Sequence, residues 1–502
     1  MELENTPLKD IETYLAKDEK ELVEALQKLI QFKSEEAPAV RLKDGTVYPY
    51  GEGIQQAFEA ALALGRKLGF AVKNIDNYGG HIEWPGKGSP IVDEEGKVIG
   101  RENPKIVGIL GHLDVVPAGS GWDFEPYGGE VKDERIYGRG TTDNKGPVVS
   151  CLYAMKALKD AGYEPNQTIR LILGLDEETG MSGMDYYFNH VERPDYGFTP
   201  DADFPIINGE KGNLIFHFAK KFSKSPGMKG LELRSIKGGT APNSVADGCR
   251  TVVRSDVAGA YDKIKEKAAA YRERTGHKLN VKGVGKSLEL TTQGIASHGA
   301  YPEKGLNAIS IMMDFLKELN FVGEDHNDFI GFYNQYIGFC LDGAGLGIDF
   351  EDEVSGKMVF NVGMIDVDPE AGKLTLNLRY PITSSDEEIF EKLDGTLTKY
   401  NMGLLKDSHK APIYMEMDNP MVRDLWDVYK KHSGDTESQP LVIGGGTYAR
   451  STPNVVAYGA MFPGDPDLMH QKNESLSLER LRLMTKIYTE AIYKLSSGEY
   501  NI

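Results

Sequence analysis

Two nearly uninterrupted apolar runs, each followed at once by polar side chains, most constrain what this chain folds into. The first, residues 106–110, leads into His112 and Asp114, and the second, TIRLILGL at 168–175, leads into the acidic triplet DEE. Apolar runs without polar alternation are typical of strands that are buried on both faces. Apolar residues at helical spacing lie between the two runs. This order predicts an α/β fold, with a mostly parallel sheet flanked by helices.

The sequence pattern changes near residue 213. From there to residue 405, strand patterns such as KSLELTTQGIA and GKLTLNLRYPI alternate with helical patterns such as AYDKIKEKAAAYRE. This alternation predicts an inserted α+β domain, and its recurrence indicates a duplicated unit. A chain of 502 residues is expected to form two domains or more. We therefore expect a first domain of residues 1–212 and 406–502, interrupted by a second domain at 213–405.

The composition of the chain limits the kinds of binding partner and the cellular compartment that we expect. The chain has 76 acidic and 57 basic residues, a formal net charge of −19, and such a field disfavours nucleic acid and anionic membranes as partners. The N-terminal segment lacks the features of a signal peptide, and no apolar run reaches the roughly 20 residues of a membrane helix. The only cysteines, Cys151, Cys249 and Cys340, are widely spaced. They favour the reducing cytoplasm over a disulfide framework or a thiolate zinc site.

Polar residues follow several predicted strands, where the ligands of open α/β sheets collect. They are far apart in sequence, so only a folded domain could bring them together. The candidates are His112 and Asp114, Asp143, Asp176 with Glu177 and Glu178, Asp201 and Asp203, and His470.

This mixture of side chains has the chemistry of a metal site. Zinc accepts imidazole nitrogen and carboxylate oxygen, and two ions that share a bridging carboxylate can activate one water. The carboxylates of the DEE triplet would repel one another at the end of a buried strand unless a cation neutralised them. Taken singly, an Asp in a Gly-rich loop is more often a turn residue. A structural role is the simpler interpretation for the remaining histidines, His81, His190, His217, His277, His326, His409 and His432.

The motifs GHLDVVPAG, GRGTTDNKGP, LDEETG, TPDADFPIINGEKG and SHGAYPEKGLNA identify a family resemblance. Together with the MH pair at 469–470, they resemble the dinuclear zinc metallopeptidases of the aminoacylase, carboxypeptidase and ArgE/DapE type. Within that family the chain is most similar to the bacterial PepV-type dipeptidases. The resemblance implies that the first domain is catalytic and that the second is a ferredoxin-like lid.

The resemblance also implies roles for individual residues in the catalytic domain. It makes five of them metal ligands, with Asp143 as the bridge: His112, Asp143, Glu178, Asp201 and His470. Glu177 would be the general base, and Asp114 would orient the imidazole of His112, as ligating histidines commonly require. Asp203 competes with Asp201 as a ligand.

In the lid, the resemblance makes His298 an oxyanion donor and Asn243 and Arg379 substrate-binding residues, with Arg450 of the GGGTYAR stretch in a similar part. The planar fork of Arg379 suits a substrate carboxylate. The alternative is a solvated arginine on the outer face of its strand.

The implied activity is hydrolysis of dipeptides to free amino acids by a cytoplasmic metalloprotease with two divalent ions. Zinc is the first choice, with manganese or cobalt open, since nitrogen and oxygen ligands accept all three. The alternatives are an N-acyl-amino-acid deacylase and a metal-bearing binding protein without catalysis. Because the long insertion could supply its own lid histidine, we expect a monomer that acts on small peptides.

Overall fold

The structure is a computed structural model, and it describes residues 8–92, 97–223, 229–498 and 500. The chain divides into two compact units. The first comprises Met1–Asn208, Met415–Leu441 and Gly446–Ile502, and the second comprises Gly209–Tyr414 and Val442–Gly445. The first seven residues, part of the segment examined above for a signal peptide, lie outside the described residues.

The first unit is built on a sheet with a parallel centre. Six of its nine strands lie in the order Val455–Ala457, Tyr196–Thr199, Ile106–His112, Thr168–Gly174, Gly79–Trp84 and Ala71–Ile75. The first four are parallel, and the last two are added antiparallel. Every residue of Ile106–His112 and Thr168–Gly174 is buried. The apolar runs of the sequence are therefore the central strands of the sheet, as predicted.

Helices cover both faces of this sheet. Neighbouring residues of a strand point to opposite faces, so Gly79 lies on one face of the sheet and Gly80 on the other. A Cβ added to Gly79 would lie 3.4 Å from Met184, and one added to Gly80 would lie 2.7 Å from Phe58. Met184 and Phe58 belong to different helices, which confirms the helix–sheet–helix layering. The helices of this unit are Ile11–Ile30, Glu52–Lys67, Lys145–Asp160, Ser182–His190, Pro420–Ser433 and Leu478–Ser497.

The second unit contains an antiparallel sheet of two four-stranded halves. The order in the first half is Lys278–Val284, Ser287–Gln293, Gly248–Ser255 and Leu231–Gly238. The order in the second half is Val359–Val367, Ala371–Tyr380, Gly212–Lys221 and Gly403–Lys410. The halves join where Leu231–Gly238 pairs with Val359–Val367.

Each half has the strand arrangement of a ferredoxin-like unit. In the second half, numbering the strands along the chain gives the spatial order 2-3-1-4, with Asp386–Lys399 preceding the last strand. The first half has the same spatial arrangement, but it begins one strand earlier along the chain. Its first strand, Leu231–Gly238, therefore lies at the position that the last strand holds in the second half. The duplication expected from the sequence is thus two similar sheets placed edge to edge.

Alternation of burial explains why helices line one side of this sheet. Along Gly212–Lys221, Leu214, Phe216 and Phe218 are buried, whereas the residues between them are half-buried. The buried set packs in one core with the helices of this unit. These helices are Ala260–Thr275, Ala308–Leu316, Glu324–Phe332 and Asp386–Lys399, with the π-helical turn Tyr333–Ile337.

The division into units differs slightly from the expected domain boundaries. The expected boundary after residue 405 falls inside the strand Gly403–Lys410, which pairs with Gly212–Lys221. The KDSHK sequence of that strand is polar because the strand lies at the sheet edge and is largely exposed, so its pattern does not signal a strand.

The shorter elements of the chain complete the description. They are the strands Val40–Arg41, Val47–Tyr48, Pro90–Val92, Val98–Arg101, Glu130–Lys132, Arg135–Tyr137, Ala202–Asp203, Ile207–Glu210, Glu351–Asp352, Gly356–Lys357, Ile413–Tyr414, Leu441–Ile443, Ala460–Met461 and Ser475–Ser477, and the 3₁₀ turns Pro302–Lys304, Ala344–Leu346 and Tyr448–Ser451. Among the described residues, no helix combines the length and apolarity needed to cross a membrane.

Candidate metal centre

The candidate site lies at the carboxyl ends of three adjacent parallel strands of the first unit. His112 is the last residue of Ile106–His112. Glu178 follows the neighbouring strand Thr168–Gly174, and Asp201 follows Tyr196–Thr199 on the other side. Because parallel strands end at the same edge of a sheet, the fold brings these three side chains together.

A first group of possible ligands surrounds the imidazole of His112. Its Nε2 lies 2.9 Å from Oδ1 of Asp143 and 3.5 Å from Oδ1 of Asp201. The other ring nitrogen, Nδ1, lies 3.3 Å from a carboxylate oxygen of Asp114 and 3.0 Å from its backbone oxygen. With Nδ1 bonded to this backbone oxygen, Nε2 faces the carboxylates of Asp143 and Asp201, which is compatible with the orienting role predicted for Asp114.

A second group shares Asp143 with the first. Nε2 of His470 lies 3.0 Å from Oδ2 of Asp143 and 3.1 Å from the carboxylate of Glu178. The backbone N–H of Glu178 donates to Oδ2 of Asp114 at 3.0 Å. The two oxygens of Asp143 therefore face different histidines, an arrangement that suits a bridging ligand.

The spacing of these atoms fits divalent cations. Two ligand atoms that each lie about 2.1 Å from one zinc ion are about 3.4 Å apart in a tetrahedral site. In each group, the three ligand atoms all lie within 4.8 Å of one another. The donors are imidazole nitrogen and carboxylate oxygen, which zinc and similar ions accept. Each group therefore offers three ligand atoms that could hold a metal ion.

The electrostatics of the first group show how much negative charge is concentrated there. Burial alone would lower the pKa of His112, but the carboxylates of Asp201 and Asp114 raise it well above its usual value. Burial and the charge of nearby acids also raise the pKa of Glu177.

Negative charge is also concentrated around Asp143. Burial and the charge of Asp143 raise the pKa of Glu178 to about 7. Against the effect of burial, hydrogen bonds to Asp143 and Glu178 raise the pKa of His470 to about 11. Burial would raise the pKa of Asp143, but hydrogen bonds with His112 and His470 hold it well below the usual range. A divalent cation would relieve the repulsion among these acids.

The acidic triplet forms a tight turn at the end of its strand. The backbone oxygen of Asp176 accepts from Gly180 at 3.1 Å and from Met181 at 2.8 Å. Its carboxylate accepts from the hydroxyl of Ser182 at 2.8 Å. Asp176 thus anchors the turn that carries Glu177 and Glu178, and it belongs to neither ligand group.

The structure separates the two aspartates that compete in sequence. Asp201 is partly buried and belongs to the first ligand group. Asp203 is exposed and pairs through its strand with Met461. The geometry therefore favours Asp201 as the ligand.

The other sequence candidates lie in different places. His298 and Asn243 are exposed in adjoining loops of the second unit, where Gly299 N–H donates to the backbone oxygen of Asn243 at 2.7 Å. Arg379 lies on Ala371–Tyr380 and is 4% exposed. The interpretation of Arg379 as a solvated outer residue is therefore wrong. The alternation of residues along a strand predicts which face a side chain occupies, but it does not predict how deeply other elements bury that face. Arg450 is half-buried in the first unit.

The remaining seven histidines contact side chains that lie outside the two ligand groups. In the described parts of the chain, neither ligand group includes any of them. His81, for example, contacts the hydroxyl of Tyr187 at 2.6 Å, and His432 contacts Glu490 at 2.6 Å. The same reading applies to His190, His217, His277, His326 and His409, which contact Tyr186, Thr375, Phe339, Phe222 and Tyr380 respectively.

Two polar residues that support the site were missed in the sequence. Asn144 accepts from the backbone N–H of His112 at 3.2 Å and donates to Asp201 at 3.1 Å. Glu474 is fully buried and accepts from the loop that carries Asp143. The only sequence signal for these two residues is their proximity to proposed ligands: Asn144 directly follows Asp143, and Glu474 lies four residues after His470.

Comparison with known proteins is consistent with this site. Residues 108–494 match the model of peptidase family M20/M25/M40. A relative from Bacillus subtilis (strain 168), named "Putative dipeptidase YtjP", is 34% identical over 452 residues, which cover 89% of this chain and 92% of the relative.

Two solved structures share the fold at low identity. Aminoacylhistidine dipeptidase from Vibrio alginolyticus has a TM-score of 0.55 and 15% identity, covering 99% of this chain and 98% of its own. The M20 family metallo-carboxypeptidase Sso-CP2 from Sulfolobus solfataricus has a TM-score of 0.53 and 17% identity, covering 94% and 98% respectively. These matches confirm the α/β fold and the family resemblance inferred from the motifs. The chain belongs to peptidase family M20/M25/M40 and is a hydrolase with candidate metal-binding side chains.

Proposed function

We propose that this protein is a dipeptidase that hydrolyses dipeptides to free amino acids with two bound divalent ions, zinc being the first choice. The observation that carries the proposal is the shared carboxylate of Asp143, whose two oxygens face His112 and His470 at 2.9 and 3.0 Å. The dipeptidase names of a relative that spans nearly the whole chain and of a protein with the same fold support the substrate class.

The side chains around this centre have distinct parts in the reaction. Bound cations would lower the pKa of a water molecule and polarise the scissile carbonyl. Glu177 accepts the proton of the attacking water and returns it to the leaving amine. The charges of Asp201 and Asp143 act on Glu177, so its carboxylate lies beside this centre. Asp114 keeps the imidazole of His112 in the orientation that ligation requires.

We assign the first unit the catalytic role and the second unit the role of a lid that selects substrates. Within the second unit, a Cβ added to Gly444 would lie 3.5 Å from Ala300 and 3.7 Å from Arg379. The loop of His298 and the Arg379 side chain therefore lie near each other. We propose that Arg379 and Asn243 bind the free carboxylate of the substrate and that His298 donates to the oxyanion. Arg450 is a further candidate for contact with the substrate.

The test is a substrate panel with the variant Glu177→Gln. We expect the wild-type protein, loaded with zinc, to hydrolyse free dipeptides and to leave N-acetylated amino acids largely intact. The variant should keep its metal content and lose activity by about 100- to 10,000-fold. Glu130→Gln, which changes an exposed glutamate of the same unit, is the matched control and should behave like wild type.

The outcomes separate the candidate functions. Preferential hydrolysis of N-acetylated amino acids would favour a deacylase, and absence of all hydrolysis in metal-loaded protein would favour a binding protein. Full activity in Glu177→Gln would exclude this residue as the general base. Metal analysis of protein purified without chelators would distinguish zinc from manganese and cobalt.

We also propose a cytoplasmic monomer. Cys151 and Cys249 are buried free thiols, and Cys340 is a partly buried one, which suits a reducing compartment. The two ferredoxin-like halves already pair with each other, so one chain contains a contact that separate subunits could otherwise provide. Sedimentation of a tight dimer would contradict this proposal.

A further inference from the structure

A buried carboxylate beside the proposed metal centre has no part in the ligand groups. Glu474 has no solvent exposure and lies four residues after His470. We propose that Glu474 is a positioning residue. It holds the loop of Asp143 so that the carboxylate of Asp143 lies between His112 and His470. The inference rests on the metal centre proposed above.

The contacts of Glu474 converge on one short loop. Its Oε1 accepts from the backbone N–H of Thr142 at 2.9 Å and of Asp143 at 3.2 Å. The N–H of Gly140 lies 3.1 Å from both of its carboxylate oxygens. The backbone oxygen of Glu474 also accepts from Gly138 at 2.9 Å. One residue thus binds most of the backbone from 138 to 143.

Arg139 completes this arrangement. Its Nη1 donates to Oε2 of Glu474 at 2.7 Å, and the arginine is only 2% exposed. The guanidinium also lies over the ring of Trp122, 5.4 Å from its centroid. The positive charge of Arg139 offsets part of the cost of burying Glu474 close to Asp143, another acid.

These contacts affect the metal centre through the backbone of Asp143. A functional group must be held within about 0.5 Å of its working position. The side-chain oxygens of Asp143 lie close to both His112 and His470, so a shift of the loop changes both ligand groups at once. Loss of Glu474 should therefore weaken and distort metal binding at both positions, although Glu474 itself contacts no metal.

The alternative is a buried ion pair that serves only stability, and Glu490 provides the matched control. Glu490 is also a buried carboxylate of the first unit, and it accepts from Lys431 at 2.6 Å and contacts His432 at 2.6 Å. It belongs to neither ligand group. A purely structural role predicts that Glu474→Gln and Glu490→Gln lower the melting temperature alike and leave metal binding unchanged.

The experiment measures zinc affinity by competition with a chromophoric chelator, and the visible absorption spectrum of the Co²⁺-loaded protein. We expect Glu474→Gln to bind zinc about 10- to 100-fold more weakly than wild type and to show an altered Co²⁺ spectrum. Glu490→Gln should match wild type in both measurements. Wild-type zinc affinity and a wild-type Co²⁺ spectrum in Glu474→Gln would overturn the inference.

A second variant decides the question if Glu474→Gln does not fold. Arg139→Lys keeps the charge but loses the planar fork, and we expect a smaller change in the same direction. Wild-type zinc affinity and spectrum in Arg139→Lys would then overturn the inference. The wild-type protein tests the proposed function separately: if it binds zinc and cleaves dipeptides while these variants bind normally, only the positioning role fails. If the wild-type protein binds no metal, both proposals fail.

Discussion

Replacement of Asp143 by alanine is the most direct test of the shared carboxylate. Each proposed group has three protein ligands, and Asp143 belongs to both. Its loss leaves each group with one histidine and one acid, whereas loss of Asp201 or Glu178 damages only one group. We therefore expect Asp143→Ala to lose both metal ions, and Asp201→Ala and Glu178→Ala to lose one each.

The size of the effect follows from ligand linkage. A metal ion present at 100 times its dissociation constant stabilises the folded state by about 2.7 kcal/mol, so two sites contribute about 5 kcal/mol. For the first unit, of about 290 residues, each kcal/mol raises the melting temperature by roughly 1–2 °C. Zinc should thus raise the melting temperature of wild-type protein by about 5–10 °C. The rise should be about half as large in Asp201→Ala and absent in Asp143→Ala.

The assay is thermal unfolding with and without zinc, combined with metal analysis. The difference between the two conditions is the relevant quantity, because removal of one acid from a negative cluster also changes the stability of the metal-free protein. Asp203→Ala, which removes an exposed acid outside both groups, should respond like wild type. A full zinc-dependent rise in Asp143→Ala, or one tightly retained ion, would refute the bridging role.

Two further predictions concern the stability of the first unit. In Gly197→Ala, the new Cβ would lie 1.8 Å from the backbone oxygen of Gly108 on the adjacent strand, so we expect a loss of about 1–3 kcal/mol or more in urea unfolding. As a control, Gly395→Ala in the helix Asp386–Lys399 of the second unit, where the added Cβ meets open space, should be neutral or stabilising. Equal effects of the two variants would contradict the packing argument. Burial raises the pKa of Glu490, but hydrogen bonds with His432 and Lys431 lower it to about 2. Because the folded-state pKa lies below that of the unfolded chain, the stability that Glu490 contributes is complete above about pH 5 and is lost as the pH falls towards 2. The difference in urea stability between wild type and Glu490→Gln should therefore be larger at pH 7 than at pH 3.5, and a difference independent of pH would be inconsistent with this ion pair.

The sequence by itself determined the main elements and the type of chemistry. The central strands Ile106–His112 and Thr168–Gly174 correspond to its apolar runs, because the burial of a strand on both faces imposes a local pattern. Helices such as Ala260–Thr275 and Pro420–Ser433 follow equally local periodicities. The motifs indicated the family, and with it the residues to be compared in space.

Only the tertiary structure decided which of these residues meet. Asp201 and His470 are separated by 269 positions (470 − 201), and no local pattern measures the distance between them. The structure separated Asp201 from Asp203, buried Arg379, and placed Glu474 beneath the loop of Asp143. Periodicity shows which face a side chain occupies, whereas depth and long-range contacts depend on what the rest of the chain packs against that face.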